Sequence, residues 1–270
     1  MKLFDKSKRR LGILAAVAAP VALIATPLLA NHSWSTYHWL RTGPELTVPV
    51  YKNVNASWDS YVNVAVADWN KSTVINSPLL VGNINPKTCK GVAGTIQVCN
   101  AAYGRTGWLG IASISLSGGH ISQGTTKLND TYFSTAQYNT PSWKALVTCQ
   151  EIGHDYGLGH QDEDFATDLT NSCMDYTSLP AGNEHPDAHD YEQLLTIYNH
   201  TESGMTAGGG RGASGIDVEP GDTPAAWGRA IHFDAQGRPD VFERIDAPGQ
   251  KTITHVFWAL GEGPRGNHID

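Results

Sequence analysis

Cys149-Gln150-Glu151-Ile152-Gly153-His154-Asp155-Tyr156-Gly157-Leu158-Gly159-His160 is the stretch from which the rest of the chain is read. Gln150 and His154 stand four apart, so a helix places them on one face, a turn from each other. Glu151 sits beside them. Gly157 accepts the positive φ that a side chain resists, so the chain can leave the helix sharply and return His160 toward His154. Three converging side chains with a carboxylate alongside match a zinc site that keeps one position open for water. Upstream, Thr140 is a helix cap and Pro141 suits the first helical position. Trp143, Leu146 and Val147 then carry the helical period toward His154.

The run resembles H-E-x-x-H-x-x-G-x-x-H, the long zinc signature of the metzincin metallopeptidases, with Gln150 where that family has its first histidine. Downstream, Ser172-Cys173-Met174-Asp175-Tyr176 resembles the Met-turn, in the S-x-M-x-Y form of the astacin and serralysin branches. The likeness, matrixin- and astacin-like in kind, covers roughly residues 44–200, with its specific motifs in 150–176. It implies an α+β, zincin-like domain with a mixed, twisted sheet, an active-site helix and a Met-turn. It also implies a secreted zinc endopeptidase. In that reading Gln150, His154 and His160 hold the metal, Glu151 takes a proton from water, Tyr176 stabilises the oxyanion, and Met174 floors the histidines.

An amide oxygen is a weaker donor to zinc than an imidazole nitrogen. Three readings of position 150 therefore stand. Gln150 binds through Oε1; or a carboxylate such as Asp162 replaces it; or the site is degenerate and the protein binds without catalysis. The last is a separate class of function, a secreted binding protein on the same scaffold. Eight tryptophans would give it a carbohydrate face, although tryptophan more often serves a core. No G-x-S-x-G elbow supports a serine hydrolase.

Residues 1–30 carry Lys2, Lys6, Lys8, Arg9 and Arg10 ahead of an Ala-rich apolar run, the pattern of a cleaved secretory leader. Removing them takes away five positive charges and one negative, so the formal charge goes from −7 to −11. An acidic chain without a basic run argues against nucleic acid and anionic membrane as partners. The expectation is an extracellular monomer acting on peptide or protein, with no membrane contact once the leader is gone. Four cysteines in an exported chain imply two disulfides, with three connectivities open. Cys89–Cys99 would close a short loop. The resemblance puts the metal helix close to the Met-turn, and so favours Cys149–Cys173.

From residue 31 the chain reads as one domain, 31–205. Trp34, Tyr37, His38 and Trp39 are aromatics that could seal the N-terminus onto it. Strands are expected at Leu46–Tyr51, 79–84, 95–102, Trp108–Ser117 and 121–130, with helices over 58–71 and 186–199. In the resemblance, the edge strand that takes substrate by backbone pairing lies near 108–130. His120 reads as a surface histidine in preference to a metal ligand. The acidic patch Gln161-Asp162-Glu163-Asp164, with Asp168 nearby, fits a carboxylate holding a ligand histidine, a Ca2+ site, or a solvated loop. A Gly/Pro-rich linker is expected over 206–224 and a small β-meander appendage over 225–270, dispensable for the metal site.

Overall fold

The computed structural model describes residues 32–163, 171–203 and 221–264. The expected leader, most of the expected linker, and Asp164 and Asp168 lie outside the described residues. In chain order the elements are β1 (His38–Trp39), β2 (Leu46–Thr47), β3 (Val50–Asn53), α1 (Ala56–Trp69), β4 (Ile75–Asn76), β5 (Leu79–Val81), β6 (Ile96–Ala101), β7 (Trp108–Ser117), β8 (His120–Asn129) and α2 (Asp130–Phe133). There follow α3 (Pro141–Asp155), α4 (Ala188–Ile197), α5 (Pro224–Trp227), β9 (Arg229–Phe233), β10 (Pro239–Ala247) and β11 (Gln250–Trp258). The class is α+β, with a large mixed sheet, a small parallel pair β2–β4 and few helices.

Local chemistry accounts for the helix ends. Asn55 caps α1, its side chain accepting the Ser57 N–H. Thr140 accepts the Trp143 N–H, and Pro141 fills the first turn of α3, where its missing N–H costs no helical bond. Asp187 and Asp190 exchange backbone and side-chain bonds in a capping box at the start of α4.

The main sheet has nine strands, with the path β5-β3-β6-β8-β7-β11-β10-β9 and β1 paired to the first residues of β8. β3, β5, β6 and β8 run parallel. β7 reverses direction and pairs antiparallel with β8. The C-terminal strands change the expected domain plan. β11 pairs antiparallel with β7 along its length, from Gln250 opposite Ser117 to Trp258 opposite Trp108, and β10 and β9 continue outward from it. The meander is therefore the far half of the central sheet and not a separate appendage. A free β7 edge would leave a row of backbone donors and acceptors unpaired, and a three-stranded meander alone is marginally stable. Joining them removes both penalties.

β11 is buried on both faces. Ile253 and Phe257 join the main core with α1 and α3, whereas Val256 and Trp258 join a second core with Trp108, Trp227 and Phe242. All eight tryptophans are buried, the most exposed being Trp34 at 9 %, so they serve mainly as core. Both expected disulfides are present, Cys89–Cys99 and Cys149–Cys173. Among the described residues no helix is long and apolar enough to cross a membrane.

Candidate metal centre

The buried face of α3 carries Gln150, Glu151 and His154, all at 1 % exposure or less. After α3, Gly157 adopts φ +91° and turns the chain back. A β-carbon at 157 would also collide with the carbonyl oxygen of Tyr37, so both torsion and space call for glycine. The returning segment is held by the N-terminal arm: Trp34 N–H donates to the Gly157 carbonyl at 2.6 Å, and Gly159 N–H donates to the His32 carbonyl. This places the His160 ring 5.0 Å from the His154 ring.

A third imidazole comes from β11. The His255 ring lies 3.9 Å from that of His154 and 4.7 Å from that of His160. One ligand atom from each of the three falls within 4.8 Å of the others. The Nε2 atoms of His154, His160 and His255 are all buried, and none has a hydrogen-bond partner. Two of the rings are oriented from behind. His154 Nδ1 donates to the Leu158 carbonyl at 2.8 Å, and His255 Nδ1 is hydrogen-bonded with Glu151 Oε2 at 3.3 Å. A proton held at Nδ1 leaves the Nε2 lone pair free, which is how ligand histidines are usually poised. Burial lowers the pKa of His154 to about 4, and burial followed by mutual repulsion takes His160 and His255 well below the usual range. Near neutral pH all three are unprotonated donors. The donor set therefore fits a borderline cation such as zinc.

The other expected site residues have different surroundings. Gln150 Nε2 donates to the carbonyls of Cys173 and Asp175, at 2.8 Å each, while its Oε1 is buried without a partner. Its amide thus clasps the turn around Met174. Met174 itself packs under α3, where a β-carbon on Gly153 would come within 2.6 Å of its sulfur. Glu151 is fully buried behind His255, and burial, followed by the nearby Asp155, pushes its carboxyl well above the usual range. The Tyr176 ring lies 5.0 Å from that of His160, and its hydroxyl accepts from Arg238 Nη2 at 3.3 Å. The Asp162 carbonyl accepts the Tyr176 N–H at 2.8 Å. His120 is not in this group.

The histidines open into a cleft of about 280 Å3, lined by residues that include Trp34, Glu163, Ile231 and His232. Trp34 lies against His154 and His255, with ring centroids 5.3 and 6.2 Å away. Glu163 Oε1 is 3.4 Å from His232 Nε2, and Asp240 Oδ1 is 2.8 Å from His232 Nδ1. Hydrogen bonding to Asp240 raises the His232 pKa, and burial raises that of Glu163. Glu151 and Tyr176 do not line this cleft.

His255 is the candidate ligand that motif reading missed. Its signal is positional: Ile253, His255 and Phe257 alternate onto one face of a strand, and a histidine in a buried apolar row needs a polar partner. No family model matches the chain, and no curated protein matches its sequence.

Proposed function

We propose that the chain is a secreted metal-dependent hydrolase of peptide bonds, its zinc held by His154, His160 and His255. The observation that carries this reading is the set of three buried, partnerless Nε2 atoms facing one another at the end of a cleft. Three protein ligands with a route to solvent are the arrangement of a catalytic zinc, whereas structural zinc sites are closed. A zinc ion there would supply Lewis acidity toward a carbonyl and acidify water.

The protein's own groups divide the remaining work differently from the sequence expectation. With a third imidazole available, Gln150 serves as the clasp on the Met174 turn. Glu151 accepts the His255 Nδ1–H and so orients that ring. Glu163 is the carboxylate that faces the cleft, and it is the proton acceptor in this reading. His232, made more basic by Asp240, is the adjacent proton donor. Tyr176 packs on His160 and holds Arg238. Peptide as the substrate rests on the metzincin likeness of 150–160 and 172–176. Residues 1–30 and the two disulfides support export into an oxidising compartment.

The roles separate in two variants. Glu163→Gln should keep zinc and abolish hydrolysis of a peptide library. Glu151→Gln should weaken zinc about 10- to 100-fold, because it loosens the support of a ligand histidine. If Glu151→Gln keeps full zinc affinity while activity disappears, Glu151 is the base and the assignment fails.

A second reading has its own support. In the metzincin likeness the edge strand that takes substrate by backbone pairing lies near 108–130, and here β7 and β8 both have neighbours on each side, β11 covering the far side of β7. This favours a metal protein that binds without catalysis. Zinc-loaded protein that cleaves no member of a broad peptide library would decide for it.

A further inference from the structure

A second cluster of metal-ligating side chains lies apart from the first and shares no residue with it. We propose that His38, His200 and Glu202 form a separate binding site for a transition-metal cation of the zinc class, with His120 positioning the carboxylate.

The three groups come from two distant parts of the chain: His38 from β1, and His200 and Glu202, two residues apart, from the segment after α4. One ligand atom from each falls within 4.8 Å of the others. His38 Nδ1 donates to the Thr36 carbonyl at 2.7 Å, which leaves its Nε2 as the free lone pair. That Nε2 is buried, has no hydrogen-bond partner, and lies 3.6 Å from Glu202 Oε2. His200 Nε2 is 3.8 Å from the other carboxylate oxygen, Oε1. The His38 and His200 rings are 5.2 Å apart and nearly perpendicular. A main-chain anchor also fixes Glu202, whose N–H donates to the Arg41 carbonyl at 2.9 Å.

His120 approaches from the start of β8, opposite His38 in the β1–β8 pairing. Its Nε2 is 2.9 Å from Glu202 Oε2, so it holds the carboxylate from the far side. Imidazole nitrogens with one carboxylate make a borderline donor set. Such a set prefers zinc, nickel or copper over calcium or magnesium, which need oxygen ligands. The cluster also borders a surface cleft of about 230 Å3, with Tyr37, Gln193 and Thr196 on its walls, so an ion can enter from solvent.

The site would staple the N-terminal arm to β8 and to the chain after α4. That arm carries Trp34, which lies against His154 and His255. An ion at the second site would therefore steady the wall of the first without touching it.

Metal content separates the two sites without reference to activity. The purified chain, saturated with Zn2+ and dialysed against a weak competing chelator, should retain two equivalents. His200→Ala should retain one, as should His255→Ala, and the double variant none. His200 is close to half exposed, so its replacement should leave the fold intact by circular dichroism; His200→Asn serves as a second variant that keeps a polar side chain. His120→Ala should weaken the second equivalent by about tenfold and leave the first unchanged. Wild type retaining a single equivalent that His255→Ala removes would overturn the proposal. So would His200→Ala and His200→Asn variants that both still retain two.

Discussion

Residue 150 separates two accounts of the site. A glutamine on the ligand face of α3 reads at first as a weakened zinc ligand, and from the motif alone it could be read no further. Its surroundings give it different work. Two carbonyls of the Met174 turn, on Cys173 and Asp175, accept its amide protons in a fully buried setting. A buried carbonyl without a donor is costly, so Gln150→Ala should destabilise the fold by about 1–3 kcal/mol. The same variant should retain zinc, because the three imidazoles remain. Gln150→His should not tighten zinc, since it removes the clasp and adds no needed ligand. Chemical denaturation alongside zinc titration checks both. A large gain in zinc affinity in Gln150→His would restore position 150 to the ligand set.

At the scale of elements, what was legible in the sequence was local. Thr140 with Pro141, the four-residue spacing from Gln150 to His154, and the Gly157 turn all act within one or two turns of chain. Their outcome follows from capping, periodicity and torsion. The Cys149–Cys173 pairing also follows, once α3 and the Met174 turn are taken as neighbours. That disulfide closes a loop of 24 residues next to Gln150's clasp. Replacing both cysteines by serine should cost about 3 kcal/mol by the chain-entropy estimate. Thermal unfolding of that variant, with and without zinc, measures it. If zinc binding survives while stability falls, the disulfide supports the fold and leaves the ligands to the histidines. β11 was not legible in this way. Its period-2 pattern announces a strand, and the turn signals at Gln236-Gly237 and Pro248-Gly249 announce a meander. Nothing local says that the strand pairs with β7, more than a hundred residues earlier. The glycine-rich run between residues 208 and 212 pointed instead to a boundary.

For the whole molecule, that pairing decides what can be removed. The C-terminal strands cover the outer edge of β7, bury Trp108 with Trp227 and Trp258, and bring His255 to α3. A chain ending at Glu202 would expose the β7 edge and one face of Trp108, and it would lose one of three imidazoles. It should be poorly soluble, lack a cooperative thermal transition, and retain no tightly held zinc at the His154 centre. Circular dichroism and metal analysis of the truncated chain test this. A soluble, cooperatively folded fragment that still holds zinc through His154 would mean that the meander is dispensable, as the linker-like sequence first implied. The two histidine clusters also belong to this scale. Each collects side chains far apart in sequence, and the first depends on β11 to bring His255 to α3.

The ligand set His154, His160 and His255 can be seen in crystals of the chain grown with Zn2+ and measured at the zinc absorption edge. Zinc held there should give an anomalous peak about 2.0–2.1 Å from Nε2 of all three histidines. An anomalous map with no peak among these rings, or with a peak ligated by Gln150 while His255 is turned away, would contradict this ligand set.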